Sequence, residues 1–250
     1  MPVSRLPDAV RFPPVDRAEQ SGLLAVGGDL SPERLLAAYR EGIFPWYADG
    51  EPILWWSPDP RFVLFPTELH VSRSMRQFLK KGTVRITFDR AFRKVISDCR
   101  KPRPGQNGTW ITREMLEAYC ALHDLGYAHS VEVWQETKLA GGLYGISLGR
   151  AFFGESMFSA IPNASKAALI TLVENLGRRG FSLIDCQIET AHLAGLGARP
   201  IPRSEFCALL RQTLRHKTLR GNWRDMLADG SEKQAGGRSI HADAFERGTS

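Results

Sequence analysis

The chain has 250 residues, 43% of them hydrophobic, and 33 Lys and Arg against 27 Asp and Glu give a formal net charge of +6 and a pI near 9.3. That composition suits a globular chain with room for one large domain or a large and a small one, and its mild basicity permits a nucleic-acid partner without requiring one. Four scattered cysteines without a CxxC pair argue against a zinc ribbon or a disulfide framework, six histidines without HxxxH-like spacing argue against a metal hydrolase, and no apolar run reaches membrane-spanning length. The start, MPVSRLPDAVRFPP, has no apolar core of the kind a secretion signal carries, so a cytoplasmic protein is expected.

After the Pro-rich opening, GGDL leads into Ser31, a good N-cap, and Pro32, suited to the first helical position. Leu35, Leu36 and Tyr39 then form one apolar face before Gly42 stops the helix. The stretch FPWYADGEPILWWSPDPRFVLFP brings Trp46, Trp55 and Trp56 close together between turn signals. Two readings stand: a hairpin whose tryptophans cover a small core, or a stacking wall for a base. Residues 72–81, SRSMRQFLKK, predict a short amphipathic helix with Met75, Phe78 and Leu79 inward and Arg73, Arg76, Lys80 and Lys81 outward. Arg61, Arg85, Arg90, Arg93 and Lys94 extend the positive run, which is either a solvated face or a patch for a phosphate backbone.

A strand over 83–88 and a helix over 91–99 follow, then the loop RKPRPGQNGTW. A helix capped by Thr112 carries Met115, Leu116, Tyr119 and Leu122 on its apolar face and stops at Gly126. Strands are predicted over 129–135, 139–148 and 151–158; Gly141, Gly142 and Gly145 in the middle one suggest a bulge or the close approach of a ligand. His123 and His129 read as loop or strand-edge residues. A short helix near 190–196, a turn GARPIPRS and a helix from about 205 to 215 complete the pattern, and the tail from His216 is polar and Gly-rich.

The densest signal lies over 151–187. Ser165, Leu169, Leu172, Val173 and Leu176 recur at helical spacing between the strand from 151 and a second buried strand over 181–184. Strand, helix and strand in so short a span make a crossover, which puts both strands in one sheet. Glu155, among Phe152, Phe153, Met157 and Phe158, needs a cationic partner or a raised pKa; an incoming cationic substrate is one such partner. Asp185 and Gln187 stand two apart and face one side of a regular strand, so they share a cleft and hold an amine, or they merely satisfy strand-end and loop backbone. Cys186 between them is expected to face the core, with a nucleophilic role the lesser reading.

The order of this second part, a meander followed by a crossover helix and strand, resembles the N-acetyltransferase superfamily fold. In that fold acyl-CoA sits on a Gly-rich turn opening the crossover helix; here the turn reads SAIPNASK and lacks it, which disfavours a CoA donor. The expected class is α+β: a small N-terminal α/β domain over 1–60, a larger N-acetyltransferase-like domain over 61–215 with a central mixed, mostly antiparallel sheet flanked by helices, and a loosely structured tail over 216–250.

Six blocks make a closer resemblance: GGDLSPERLLAAYREGIFPW, ILWWSPDPR, GTWITREMLEAY, LHDLGYAHSVEVW, GESMFSAIPNASKAAL and LIDCQ. Together they resemble the bacterial leucyl/phenylalanyl-tRNA-protein transferases. The resemblance implies transfer of Leu or Phe, and less well Met, from its tRNA to proteins beginning with Arg or Lys, marking them for degradation. It implies Trp46 and Trp110 against the terminal adenosine of the tRNA, and a donor side-chain pocket of Leu143, Phe152, Met157, Leu169, Leu172, Leu176 and Ile184. Leu143 and Leu172 stand where well-known relatives carry Met and Phe, a change that bears on the choice between Leu and Phe. Asp185 and Gln187 would position the acceptor amine and draw off its proton, with Glu155 orienting donor or acceptor. Arg73, Arg76, Lys80, Lys81 and Arg85 would hold the acceptor stem by its phosphates. An activated ester needs neither metal, cofactor nor covalent enzyme intermediate, and a monomer is expected. The competing readings are a CoA-dependent N-acyltransferase and an RNA-binding module without catalysis; the latter leaves Glu155, Asp185 and Gln187 beside an apolar pocket without a purpose.

Overall fold

Local signals at each turn set the element order in the computed structural model, which describes residues 3–102 and 111–226. The chain begins with β1 (Ser4–Arg5) and β2 (Leu23–Val26), then α1 (Pro32–Arg40), where the Ser31 hydroxyl accepts from the Arg34 N–H at 3.3 Å as an N-cap should. β3 (Phe44–Pro45) and β4 (Leu54–Trp56) pair antiparallel, giving a four-stranded sheet in the order β1-β2-β4-β3. The tryptophan cluster divides between a core residue and an exposed one. Trp55 is fully buried, with its indole N–H donated to the Gly27 carbonyl at 2.8 Å, whereas Trp46 is 40% exposed against Trp56.

The remaining elements are β5 (Arg61–Leu64), α2 (Arg73–Lys80), β6 (Arg85–Phe88), α3 (Phe92–Cys99), α4 (Arg113–Asp124), β7 (Ala128–Gln135), β8 (Lys138–Leu148), β9 (Ala151–Ser159), α5 (Ala164–Arg178), β10 (Leu183–Gln187), α6 (Ala191–Ala194), β11 (Arg199–Ile201) and α7 (Arg203–Thr213). Seven strands form one sheet in the order β11-β5-β10-β9-β8-β7-β6. Every neighbouring pair is antiparallel except β9 and β10, whose connection is the crossover α5. This is the mixed, mostly antiparallel sheet that the pattern predicts.

Side-chain alternation along these strands builds two cores. Val131, Leu143, Phe152 and Ile184 face Leu169, Leu172, Val173 and Leu176 of α5. Tyr144, Phe153, Leu183 and Val63 face the other way, into a core shared with α1, α3, α4, α7 and Trp55. The β8 glycines serve this packing: a Cβ on Gly141 would lie 2.5 Å from the Ala164 Cβ, and one on Gly145 2.1 Å from the Phe153 carbonyl, beside a register shift. The bulge is present, and what approaches these glycines is the protein itself.

Two expectations change. β1, β2, β5 and β11 fall where the pattern predicts no strand, because segments of two to four residues in Pro-rich surroundings carry little periodicity and are held by distant partners. Residues 216–226 of the expected loose tail pack against β7. Trp223 is buried and stacks on the His129 ring at 3.6 Å, while its N–H and the His129 Nδ1 both meet the Asp89 carboxylate. His129 is therefore a buried strand residue and no loop or edge residue, and burial pushes its pKa down. His123, likewise expected in a loop or at a strand edge, lies in the last turn of α4 with its ring stacked on Phe92.

Candidate active site

A cleft of about 870 Å³ opens at the far ends of β8, β9 and β10, bounded by the C-terminal end of α3, the start of α5, α6 and the β3 hairpin. One wall is apolar. Leu143, Phe152, Met157, Leu169 and Ile184 line it, five of the seven residues expected to form a side-chain pocket. Leu172 and Leu176 do not line it. They are fully buried in the core between α5 and the sheet, because helical spacing marks the buried face of α5 without telling its cleft end from its middle.

The other wall is polar and fully connected. β9 turns Glu155 away from α5, toward α1 and α4. There the Tyr39 hydroxyl donates to its Oε1 at 2.8 Å, the Tyr119 hydroxyl to its Oε2 at 2.8 Å, and the two hydroxyls meet at 2.5 Å. Gln187 Nε2 donates to Glu155 Oε1 at 2.9 Å, which leaves the amide oxygen of Gln187 free to face a donor. Burial raises the Glu155 pKa from 4.5 to about 7, opposed by the two tyrosine hydroxyls and assisted by the charge of Asp185. Among the described residues the carboxyl has no fixed cation, and its proton affinity is that of a group able to take and release a proton near neutrality.

Asp185 has a different environment. Arg61 Nε and Nη2 reach its two oxygens at 2.7 and 2.6 Å, both side chains are fully buried, and Arg61 Nη1 donates to the Gly42 carbonyl at 3.1 Å. Phe44 and Phe206 sandwich the guanidinium at 4.8 and 4.6 Å. Asp185 and Gln187 meet through the backbone: the Gln187 N–H donates to Asp185 Oδ1 at 2.9 Å. A bulge makes this possible. Asp185 pairs with Val63 and Gln187 with Phe62, leaving Cys186 as the extra residue, and Gln187 takes φ +64°. The parity of a regular strand is not what joins the two. Cys186 packs against the core around α5, as expected, while its half-buried side chain also lines the cleft, and burial pushes its thiol far up, away from a nucleophilic thiolate.

Three residues of the polar wall escape the sequence reading. Arg61 counted only as part of a positive run, although an arginine beginning the apolar run RFVLF signals a buried carboxylate partner. Tyr39 and Tyr119 counted as apolar helix faces; tyrosine in place of phenylalanine there is the faint sign of a buried acceptor. Trp46 lines the cleft, and Trp110 lies outside the described residues. Arg73, Arg76, Lys80, Lys81 and Arg85 are exposed on α2, its end and the edge strand β6, apart from the cleft lining. Arg93 leaves the positive run by pairing with Glu117 at 2.8 Å. Among the described residues no group of three His, Cys, Asp or Glu is placed to hold a metal, and no helix is long and apolar enough to cross a membrane.

Comparison with known proteins agrees along the length of this architecture. The family model described as leucyl/phenylalanyl-tRNA protein transferase matches residues 63–211, and that of the corresponding N-terminal domain matches residues 28–59. A leucyl/phenylalanyl-tRNA--protein transferase of Syntrophus aciditrophicus (strain SB) is 64% identical over 224 residues, 89% of this chain and 94% of that one. The protein of the same name from Myxococcus xanthus (strain DK1622) is 59% identical over 213 residues, 85% of this chain and 91% of that one. Among solved structures, a GCN5-related N-acetyltransferase from Kribbella flavida overlaps with a TM-score of 0.35 at 10% identity, over 68% of this chain and 60% of that chain.

Proposed function

This chain belongs to the leucyl/phenylalanyl-tRNA protein transferase family, and we propose that its cleft moves Leu or Phe, and less well Met, from aminoacyl-tRNA to the α-amino group of proteins beginning with Arg or Lys. The new N-terminal residue marks the acceptor for degradation. The donor side chain enters the apolar wall of Leu143, Phe152, Met157, Leu169 and Ile184, where unbranched and β-branched side chains are told apart by shape. Trp46, exposed at the rim, offers a face for the terminal adenosine, with Trp110 as its expected partner. The acceptor stem lies along Arg73, Arg76, Lys80, Lys81 and Arg85.

Chemistry falls to the polar wall. The acceptor amine reaches the cleft mostly as an ammonium, with an ordinary pKa of about 8, and must be neutral to attack. The Gln187 amide oxygen orients it by accepting one N–H, and Glu155, with a pKa of about 7, takes the surplus proton. As the amine nitrogen bonds to the ester carbonyl carbon, the bond from that carbon to the ribose oxygen breaks; Glu155 gives its proton to the departing oxygen, takes the second proton from the nitrogen that becomes the amide, and releases it to solvent. Asp185, neutralised by Arg61, is a positioning residue that fixes Gln187 through its N–H. A monomer acting in the cytoplasm, where charged tRNA is available, completes this reading.

The observation carrying this reading is Glu155, a buried carboxylate between an apolar pocket and an amide, with hydroxyl and amide partners and, among the described residues, no fixed cation. The test is transfer of labelled leucine from Leu-tRNA to proteins beginning with Lys, Arg or Ala, by wild type, Glu155→Gln and Asp185→Ala. Label is expected on the Lys and Arg acceptors alone. Wild-type kcat rises with pH through about 7 and then levels off, as a base of that pKa requires. Glu155→Gln is expected to lower kcat about 100-fold and abolish that rise while sparing the KM for Leu-tRNA. A rise surviving in Glu155→Gln removes the base role, and tRNA binding without any transfer replaces the enzyme by an RNA-binding protein.

A further inference from the structure

The transfer reaction requires a group that tells an Arg or Lys acceptor from all others, and neither acid already placed supplies it. Asp185 is fully engaged by Arg61. Glu155 is held by two hydroxyls and an amide, and as a proton acceptor it cannot also be the permanent partner of a cation. A third carboxylate, Asp98, lines the same cleft from the last turn of α3.

Its surroundings are unusual. The Asp98 side chain is 9% exposed and accepts from Lys94 Nζ at 3.2 Å and from Lys101 Nζ at 2.6 Å, whose own side chains are 56% and 72% exposed. Within α3 only the pair with Lys94 favours an acid there. Asp98 stands next to last in the helix, where the carbonyl ends repel a negative charge, and a lysine four residues before an aspartate is the weaker order for such a pair. The position is also on the correct side of the sheet. Glu155 points to α1 and α4, away from α5, and α3 packs into the core on that same face through Val95, Ile96 and Cys99, together with Tyr144. Donor hydrocarbon thus lies on the α5 side and Asp98 on the side of the attacking amine.

We infer that Asp98 is the subsite for the side chain of the acceptor's first residue, holding its guanidinium or ammonium, and that Lys94 and Lys101 are resident cations the substrate displaces. The exchange replaces two solvated lysine contacts by one cation whose backbone is already bound, so Asp98 keeps an opposite charge beside it and is not left buried and unpaired. Arg is expected to bind more tightly than Lys, since a guanidinium meets both carboxylate oxygens at once. The inference rests on the proposed transfer and goes beyond it by naming how the acceptor is chosen.

The test is steady-state transfer from Leu-tRNA to peptides that differ only in the first residue: Arg, Lys, or citrulline, which keeps the shape of Arg without its charge. Asp98→Asn is expected to raise the KM of the Arg and Lys peptides about tenfold, leaving kcat, the KM for Leu-tRNA and the citrulline peptide unchanged. Joint Lys94→Ala and Lys101→Ala substitution is expected to lower the KM of the Arg and Lys peptides, because the competing cations are gone. A merely structural Asp98 would not give opposite signs in the two variants. An unchanged Arg-peptide KM in Asp98→Asn, or an equal rise for citrulline, overturns the inference. Should Asp98→Asn fail to fold, an unchanged or raised KM in the lysine variant does the same. Wild type that transfers leucine to none of the three peptides overturns the transfer reading instead.

Discussion

The two walls of the cleft are built on opposite principles. On the α5 side, Leu143, Phe152, Met157, Leu169 and Ile184 offer an apolar surface that selects by shape. On the other side, Arg61, Asp185, Gln187, Glu155, Tyr39 and Tyr119 form one chain of hydrogen bonds in which each member fixes the next. An apolar wall tolerates exchange of one hydrocarbon for another, since only volume changes, whereas a buried polar chain fails when any link is left unpaired. The donor side can therefore vary its preference among Leu, Phe and Met, while the acceptor side is held to one geometry.

The sharpest way to break this contrast is at Arg61. Arg61→Ala leaves Asp185 buried and unpaired, and the expected loss of stability is about 3–5 kcal/mol, read as a lowered urea midpoint at unchanged m-value. Exchange of both partners for apolar residues of similar volume is expected to restore most of the stability and none of the activity, because Gln187 then loses the acceptor for its N–H. Recovery of activity by the double variant would mean that Asp185 does not position Gln187.

On the donor side, one helix contains its own control. Leu172 is fully buried in the core and Leu169 lines the cleft, one turn apart on α5. Leu172→Ala is expected to cost about 2–5 kcal/mol of stability and leave the Leu to Phe preference alone. Leu169→Ala is expected to cost less, because its void opens to the cleft, and to change that preference by about tenfold toward the larger side chain. Leucine and phenylalanine competing for one acceptor give the ratio directly. A shift caused by Leu172→Ala would return that residue to the pocket.

This contrast also explains what the sequence could reveal. Glu155, Asp185 and Gln187 were legible because a polar residue in an apolar strand is conspicuous within a few positions, and α1, α4 and the crossover α5 because caps and periodicity are local. The partners of those polar residues were not legible. Arg61 meets Asp185 across 124 positions, Tyr39 meets Glu155 across 116, and nothing near any of them in sequence records the pairing. The bulge at Cys186 was hidden for the same reason, since it exists only in the register with β5. Trp223 was concealed by its neighbours: polar, Gly-rich composition predicts a loose segment, whereas the Trp223 ring on His129 and the segment's hydrogen bonds to Asp89, Gly126 and Gly149 dock it.

The smallest expected effect concerns the surface that neither wall includes. α2 begins with Arg73 and has Arg76 in its first turn, with no acid there, although the positive end of a helix favours the opposite charge. A helix selected for stability alone would not carry arginines at that end, so their presence argues for an anionic partner, as the acidic Asp98 at the wrong end of α3 argues for a cationic one. Arg73→Ala should then move two measurements in opposite directions. Stability is expected to rise by about 0.3–0.5 kcal/mol, because an unfavourable dipole contact is removed. Affinity for tRNA is expected to fall, and the slope of log K against log salt to become shallower by about 0.9, the value of one lost phosphate contact. A solvated face with no partner gives the first change without the second, so binding titrations at several salt concentrations decide whether these charges hold RNA.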